Sequence, residues 1–594
     1  MLLNILLISV LGPIILALFC LPIKRAAGYL ALILSFGFLG LAGLLFTSGS
    51  LASPFLALQS NHFSSSINLG CAFFTFLIVL YSLKFMEERE RLGEYYAYLL
   101  ITLGAAAGVV FATDFITLLV FWGILGIPLY FLVGFNGPQG SRAAKKTLVL
   151  VGGADALMIL GVGIMIMLTG WAQIGVIKIA LDGPLPILAF LCLLSGAAAK
   201  AGALPFHTWI PDSAEVAPVP VMALLPGSLD KLLGIYLLAR LCLNVFIIEP
   251  NSPLSLFLLI LGSATLMVGV LAALIQHDLK KLLSFHAVSQ VGYMILGLGS
   301  GIPVAIAGGL FHMFNNSIFK NLLFLTAGAV EKETGTTDLD RLGGLARFMP
   351  ITFTAGLIGA LSISGVPPFN GFFSKWMIYQ GLVELRNFSP YWVIWLLMAT
   401  FGSALTLASF VKILHAVFLG QPSEKTAQAQ EVPWEMWIPM VILALLCAIF
   451  GLFAYQIPLR FFILPVVPVA LTGAWSPDVA GGLLLLGLAA GLIFYLIGGI
   501  KSAVVKPPYL GGELLEEGVV KQSGTDFYNT IREYGFLPIV YGIAERKLLD
   551  IYEQGRRMAF YLSGWLKWLH NGLLHTYLAW MFLGATILFF WLMR

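Results

Sequence analysis

Residues 196–231, GAAAKAGALPFHTWIPDSAEVAPVPVMALLPGSLDK, place Lys200 in an apolar helix that runs into Pro205. Between Pro186 and Pro205 the other residues carry no charge. A charged lysine at the centre of a bilayer costs about 2.5 to 3.5 kcal/mol on insertion scales. Lys200 is therefore a snorkelling side chain, one half of a structural ion pair, or a protonatable relay group beside a broken helix. We favour the relay.

The composition is that of an all-α, polytopic membrane protein. Of 594 residues, 59% are hydrophobic and 10% are charged, and the mean hydropathy is +0.95. The net charge of +4 gives no reason to expect a nucleic-acid partner. The five cysteines stand singly, and the chain has no phosphate-binding glycine loop, dinucleotide fingerprint or nucleophile motif. We expect no cofactor, no metal site and no redox chemistry within this chain.

The apolar runs long enough to cross a bilayer number about sixteen. They lie at 2–22, 28–47, 66–86, 94–113, 115–134, 147–169, a broken 185–217, 219–246, 254–275, 282–300, 304–330, a broken 350–385, 393–419, 435–455, 477–500 and 573–593. Lysines and arginines concentrate in alternate loops, on the side shared by Lys24 and Lys146. This bias indicates a cytoplasmic side for those loops and a multi-pass protein of the cell membrane.

A weak symmetry relates two proline-interrupted spans. Lys200 precedes Pro205, whereas Lys375 follows Pro367 and Pro368, and the two spans cross in opposite directions. Discontinuous helices at such positions are typical of inverted repeats, although a simple kink is the alternative. The predicted repeats are spans four to eight and nine to thirteen, five helices each. The predicted domains are 1–93 (N-terminal helices), 94–246 and 247–419 (the two repeats), 420–500 (peripheral helices), 501–572 (amphipathic segment) and 573–594 (anchor).

Four motifs occur in order between about residues 85 and 420: KAGALPFHTWIPDSAEVAPVPVMALL, QHDLKKLLSFHAVSQVGYM, FHMFNNSIFKNLLFLTAGAV and GVPPFNGFFSKW. Together they resemble the antiporter-like subunits of respiratory complex I, membrane-bound hydrogenases and Mrp-type antiporters. The resemblance implies two inverted five-helix bundles, each with a broken helix. It also implies proton translocation coupled to redox chemistry in other chains.

Residue by residue, Lys200 resembles the family's central lysine of the first repeat and Lys375 the terminal lysine of the second. Lys320, with His312 eight residues before it, resembles the linking group. The residue type suits the role, because a desolvated lysine can lose its proton when its pKa falls by several units. His286 lies within the tenth span and is either a relay member or a packed core histidine.

The sequence departs from the family in three places. Gly123 stands where the family carries a glutamate after the tryptophan, Pro226 replaces a frequent histidine, and Asn316 replaces another. Without that glutamate, Lys200 needs a different carboxylate. We expect Asp230, which is followed by Lys231.

Asp155, midway along the sixth span, is the alternative partner for Lys200. Lys412, near the end of its span, is interpreted as a snorkelling side chain.

After Lys501 the chain becomes amphipathic. The stretch from Phe536 to His570 resembles the lateral helix of the largest family members and would reach about 50 Å as one helix; a plain interfacial anchor is the alternative.

Three function classes follow: a proton-pumping subunit of a redox complex, a subunit of an Mrp-type cation/proton antiporter, or a non-pumping scaffold or carrier. The expected partners are other membrane subunits, hydrophilic redox subunits indirectly, and the lipid bilayer.

Overall fold

The computed structural model describes residues 3–469 except 25, 172, 176, 177 and 424, a few positions between 486 and 535, and residues 537–593. The described part is helical apart from isolated bridges and loops. In chain order, the helices before residue 470 are α1 Leu3–Ala17, α2 Ala27–Thr47, α3 His62–Phe85, α4 Leu92–Phe111, α5 Phe115–Val133, α6 Pro138–Thr169, α7 Pro184–Ala201, α8 Trp209–Val216, α9 Val219–Val245, α10 Pro253–Leu274, α11 Leu279–Gly299, α12 Pro303–Thr334, α13 Pro350–Ser364, α14 Asn370–Glu384, α15 Trp392–Leu419 and α16 Trp434–Leu452.

The helices agree with the predicted spans. Among the described residues, including those after 536, twelve helices are long and apolar enough to cross a membrane, and shorter apolar helices cover Ile5–Cys20 and Pro350–Ser364. Each predicted span before residue 456 corresponds to one helix or to a broken pair. The predicted span 477–500 lies outside the described residues, apart from single positions. The chain is a multi-pass helical membrane protein, as its composition predicts.

Both predicted helix breaks are present. The first half of each broken helix ends at a glycine in the left-handed region, Gly202 after α7 and Gly365 after α13, each with φ of 80°. Glycine adopts this conformation without a Cβ penalty and so closes the last helical turn. Prolines in the following links, Pro205 and Pro367 with Pro368, cannot continue a helix. Helices α8 and α14 then resume each span.

The two breaks occupy the same place in each predicted repeat. Helices α4 to α9 form five consecutive spans with the break in the fourth, and α10 to α15 do the same. Because four spans lie between the two broken helices, the broken helices cross in opposite directions. Helix α9 packs against α7, and α12 packs against α14. Both α9 and α12 are almost wholly buried, so they form the centre to which the two breaks are attached.

Ion pairs at one end of the bundle hold the short helix α8. Lys146 Nζ on α6 lies 2.7 Å from Asp212 Oδ2, and Lys281 Nζ on α11 lies 2.6 Å from Glu215 Oε1. Both acids belong to α8. The basic residues that the loop bias assigns to one side thus fix the second half of the first broken helix to two neighbouring spans.

Residues 534–594 form a separate compact unit. Its helices are α17 Leu537–Glu545, α18 Ile551–Leu569 and α19 Leu574–Leu592. The expected single helix from Phe536 to His570 is wrong, because the chain breaks between α17 and α18. The 19 residues of α18 span only about 28 Å at 1.5 Å per residue. The part of the predicted amphipathic segment from 501 to 536 lies almost wholly outside the described residues.

Candidate functional site

Ionisable side chains line the interior of the bundle at and between the two breaks. They come from α6, α7, α9, α11, α12 and α14. Their residues are buried to within 3% exposure: Lys200, Asp230, Lys231, His286, His312, Lys320 and Lys375. Asp155 is less buried than these. Since charged groups are almost never fully buried unless they are paired or functional, this set is the candidate site.

Lys200 faces Asp230 across the α7–α9 contact. Lys200 Nζ lies 4.0 Å from Asp230 Oδ1, at the outer limit of an ion pair. Within the described part of the chain, neither Lys200 Nζ nor Asp230 Oδ2 has a hydrogen-bond partner. The ammonium therefore has a carboxylate close by but is not fastened to it.

A π-helical segment positions Asp230. Residues Leu225–Leu229 are π-helical and end directly before Asp230, and they contain Pro226, one of the departures from the family. Proline removes a backbone donor and widens the turn, which a π-bulge accommodates. Asn316 on α12, another departure, donates from Nδ2 to Gly227 O at 3.5 Å. Two of the three positions at which the sequence departs from the family, Pro226 and Asn316, therefore meet at the turn that presents the Asp230 carboxylate to Lys200.

Trp122 contacts both Asp155 and Lys200. Trp122 Nε1 donates to Asp155 Oδ1 at 2.8 Å, and Lys200 Nζ lies 5.5 Å from the centre of the Trp122 ring. That ring distance is within range of a cation–π contact. Of the two candidate carboxylates, Asp230 is the one that the structure places beside the ammonium.

Gly123 leaves open space where the family carries its glutamate. A Cβ on Gly123 would meet no atom within 4 Å. The residue lines a cavity of about 310 Å³ between α5 and α6, and Asp155 lines the same cavity. Asp155 therefore places a carboxylate in the same cavity as position 123, where the family's glutamate is missing.

Two buried lysines cap the half-helices that end at the breaks. Lys231 Nζ donates to Ala201 O at 2.9 Å, at the end of α7. Lys375 Nζ donates to Ile363 O at 2.8 Å, at the end of α13. Cations are favourable at helix C-termini because the last carbonyls carry partial negative charge. The two repeats therefore use lysines from different elements, α9 and α14, for the same contact.

Lys320 and His286 converge on α15. Lys320 Nζ donates to Leu283 O at 2.9 Å and lies 5.9 Å from the centre of the Phe410 ring. His286 Nε2 lies 2.7 Å from Ser409 Oγ, and its ring stands 4.9 Å from that of Phe410. His286 thus shares its surroundings with Lys320.

His312 bonds instead to residues near Lys375. Its Nδ1 lies 2.9 Å from Ser374 Oγ and its Nε2 lies 3.2 Å from Gln290 Oε1. Tyr293 packs against the His312 ring at 5.4 Å and against Lys375 Nζ at 4.8 Å. The sequence interpretation missed Gln290 and Ser374, although both lie inside the four motifs as polar residues in apolar helices.

Lys412 does not snorkel, so that interpretation is wrong. Its side chain is buried, and Nζ donates to Leu274 O at 2.7 Å and to Gln276 O at 2.8 Å. These carbonyls lie at the end of α10 and just beyond it. Lys412 is therefore a cap on a neighbouring helix.

Further buried polar atoms lie along the same interior. Atoms without a hydrogen-bond partner in the described part of the chain include Asn315 Oδ1, Asn316 Oδ1, Asn321 Oδ1, Asn370 Oδ1 and Ser284 Oγ. Buried polar groups in native proteins are satisfied by protein atoms or by ordered water. This concentration on α11, α12 and α14 indicates an interior that admits water between the ionisable groups.

Comparison with known proteins agrees with this architecture. Residues 112–406 match the family model described as NADH:quinone oxidoreductase/Mrp antiporter, transmembrane. The A subunit of the Na(+)/H(+) antiporter of Alkalihalophilus pseudofirmus is 35% identical over 405 residues, which cover 64% of this chain and 50% of that protein. The corresponding Bacillus subtilis protein is 35% identical over 404 residues, 62% of this chain and 49% of that protein. The chain spans about half the length of these relatives.

Solved structures share the fold. A chain of an archaeal respiratory membrane complex, the membrane-bound sulfane sulfur reductase, superposes with a TM-score of 0.81 at 24% identity over 98% of this chain and 99% of that one. A chain of the Mrp complex from Dietzia gives 0.70 at 21% identity, covering 78% and 96%. A chain of Thermus thermophilus respiratory complex I gives 0.67 at 21% identity, covering 77% and 97%.

The fold and the buried lysines define an antiporter-like membrane subunit. The match of residues 112–406 to the NADH:quinone oxidoreductase/Mrp antiporter transmembrane family confirms the resemblance seen in the motifs. The structural matches are to chains of multi-subunit membrane complexes.

Proposed function

We propose that this chain is a proton-translocating, antiporter-like subunit of a multi-subunit membrane complex. One observation carries the proposal: both broken helices have buried lysines at the break, and buried ionisable groups connect the two breaks. Intramembrane charges that are not needed for folding mark ion pathways. Discontinuous helices at repeat interfaces mark the sites where transporters hold their ions.

In this proposal, protons move because neighbouring ionisable groups carry a positive charge in turn, one group being charged while the next is neutral. In the low-dielectric interior, a charged lysine disfavours a second positive charge nearby. Lys375 Nζ and the His312 ring pack against the same side chain, that of Tyr293, so a charge on one lies close to the other. A proton held by one group therefore lowers the proton affinity of the neighbouring group. When the first group releases its proton, the proton affinity of its neighbour rises again.

Asp230 controls the first step in this scheme. While Asp230 is ionised, it favours the ammonium form of Lys200. Moving the two groups apart, or protonating Asp230, removes that support and favours release of a proton from Lys200. The 4.0 Å separation, with no hydrogen bond fastening the ammonium, leaves the pair free to change.

We propose that the driving reaction is redox chemistry in other chains, with hydrophilic redox subunits reached through neighbouring membrane subunits. The structural likeness over 98% of this chain to a chain of a respiratory membrane complex supports a subunit driven by redox chemistry. The second candidate is a subunit of an Mrp-type Na+/H+ antiporter, which the 35% identity to the Na(+)/H(+) antiporter relatives favours. A non-pumping scaffold or carrier is the third class.

Mass spectrometry of the complex purified gently from native membranes separates these classes. Iron–sulfur or hydrogenase-like subunits support the redox form, and small multi-spanning antiporter subunits support the Mrp form.

Proton transport is measured in proteoliposomes that contain the reconstituted complex. The test variant is Lys375→Ala, and the control variant is Lys332→Met. Lys332 Nζ also donates to a helix-end carbonyl, Lys84 O at 2.7 Å, but it lies at the end of the bundle. We expect proton uptake to be abolished in Lys375→Ala, with assembly retained, and to persist in Lys332→Met. Normal pumping by Lys375→Ala contradicts the proposed function.

A further inference from the structure

The hydrogen bonds around His312 determine which ring nitrogen carries the proton. His312, Gln290 and Ser374 are each fully buried, and both ring nitrogens of His312 have a protein partner, so neither nitrogen needs water to complete its hydrogen bonds. The imidazole has one contact on each side: Nε2 with Gln290 Oε1 at 3.2 Å and Nδ1 with Ser374 Oγ at 2.9 Å. In a neutral imidazole one nitrogen donates and the other accepts. The two neighbours therefore fix the tautomer once their own donors and acceptors are known.

Gln290 has its orientation set by the residue beside it. The hydroxyl of Ser289 donates to His286 O at 3.1 Å, so its hydrogen is already used. Ser289 Oγ then accepts from Gln290 Nε2 at 3.2 Å. The amide nitrogen of Gln290 must point towards Ser289, because the reverse orientation would place an acceptor against an acceptor. The carbonyl oxygen of the amide consequently faces His312.

A carbonyl oxygen only accepts, so Nε2 of His312 has to be the donor. Nδ1 then holds the lone pair, and the Ser374 hydroxyl donates to it. We propose that Gln290 is a positioning residue that holds His312 in the Nε2–H tautomer, so that His312 takes up and releases protons through Nδ1 alone. The inference rests on the proposed function, because it describes how one member of the pathway handles its proton.

Ser374 permits the change of charge that this requires. When a proton arrives at Nδ1, His312 becomes an imidazolium with a donor on both nitrogens. Ser374 Oγ must then accept from Nδ1–H, and its own hydrogen turns to the backbone oxygen of Gly371 at 3.3 Å or of Asn370 at 3.5 Å. When the proton leaves Nδ1, the Ser374 hydroxyl rotates back and donates to Nδ1 again. Gln290 keeps the same hydrogen bond in both states.

This arrangement connects His312 with the second break rather than with Lys320. Ser374 precedes Lys375 in α14, and Tyr293 packs against both the His312 ring and Lys375 Nζ. A histidine that relays a proton straight through its ring must take it on one nitrogen and lose it from the other. With Nε2 held by Gln290, His312 instead stores a charge beside Lys375 and returns the proton on the side where it arrived.

The tautomer itself is tested without any transport measurement. The protein labelled with nitrogen-15 histidine, in its complex in lipid, is studied by solid-state NMR. The signals of His312 are identified as those that disappear in His312→Gln. We expect a neutral ring protonated at Nε2, and a change to a mixture of tautomers in Gln290→Met. A neutral ring protonated at Nδ1, or no change in Gln290→Met, overturns the inference.

Transport by three variants tests the consequence. Gln290→Met keeps the volume but removes the acceptor, and Gln290→Glu keeps an acceptor. Gln276→Met is the matched control, because the Gln276 side chain donates from Nε2 to Ala272 O at 2.8 Å, four residues earlier in the chain. Since one hydrogen bond is worth about a tenfold preference between tautomers, we expect Gln290→Met to lower proton uptake about tenfold and Gln290→Glu to retain most of it.

Equal impairment of Gln290→Met and Gln290→Glu assigns Gln290 to packing and overturns the positioning role. Unchanged uptake in Gln290→Met also overturns it. If His312→Gln pumps normally, the proposed pathway through His312 fails, whereas the tautomer is still decided by the NMR signals.

Discussion

Replacing Asp230 with asparagine removes the charge nearest to Lys200 while keeping the side chain's size. The carboxylate oxygen lies 4.0 Å from Lys200 Nζ, and both residues are buried. The amide cannot favour the ammonium as a negative charge does. We expect Asp230→Asn to impair proton uptake about as strongly as Lys200→Ala, although the protein still assembles.

The size of the effect follows from the separation. Two unit charges 4.0 Å apart interact by about 4 kcal/mol at an effective dielectric constant of 20. Since 1.36 kcal/mol corresponds to a factor of ten, losing this attraction changes an equilibrium that depends on it by about a thousandfold. We therefore expect proton uptake by Asp230→Asn to fall by a factor of that order.

The assay is proton uptake into proteoliposomes that contain the complex, driven by its native reaction. Glu87→Gln is the control, because Glu87 pairs with Lys84 at the end of the bundle, with the two side chains 49% and 37% exposed. Exposed ion pairs contribute about 0 to 1 kcal/mol, so this variant should pump normally. Full activity of Asp230→Asn would refute the reasoning and leave Lys200 either partnered elsewhere or outside the pathway.

Gly123→Glu should partly restore uptake to the Asp230→Asn protein, because its side chain enters an open cavity; no gain would argue against that cavity as a carboxylate position. Gly371→Ala should lower the free energy of unfolding by about 1 to 3 kcal/mol, since its Cβ would collide with the backbone of the preceding half-helix. Gly126→Ala, whose Cβ meets no atom within 4 Å, should be nearly neutral in the same thermal unfolding measurement. Deleting residues 536–594 should loosen a neighbouring subunit more than it unfolds the bundle, and unchanged subunit stoichiometry would contradict this.

The sequence is sufficient to predict the broken helices and the approach of Asp230 to Lys200. Proline and glycine act locally, so Gly202, Pro205 and Gly365 mark the breaks without knowledge of the neighbours. The span that follows directly on a broken helix also tends to pack beside it. The choice of Asp230 rests on that proximity, and the separation found is consistent with it.

Contacts between distant spans are harder to predict. Spacing along α12 predicts that His312 and Lys320 lie on nearly the same face, but it does not say which helices that face meets. The partners of His312 come from α11 and α14, and they are neutral side chains that composition does not distinguish. For the same reason Lys412 resembles a snorkelling residue in the sequence, because the carbonyls it caps belong to another helix.

The break before α18 does have a local signal. Asp550 caps that helix by accepting from Tyr552 N at 3.1 Å, and Lys547 adopts a φ of 54°. An aspartate before an apolar periodic run is a normal helix start. The amphipathic pattern nevertheless favours one continuous helix, because alternating charged and apolar residues persist through the turn.

The lysines that cap the two half-helices would also link the charge state of the proposed pathway to the stability of the helix ends. Lys231 holds the last turn of α7 and Lys375 that of α13 through a carbonyl oxygen. A neutral amine still donates to that oxygen, but it lacks the charge that stabilises a helix C-terminus by about 0.3 to 2 kcal/mol. In the proposed pathway, each proton that arrives at or leaves Lys231 or Lys375 would therefore change the stability of a helix end as well as the local charge. The charge state of the pathway would thereby be coupled to the conformation of the backbone at each break.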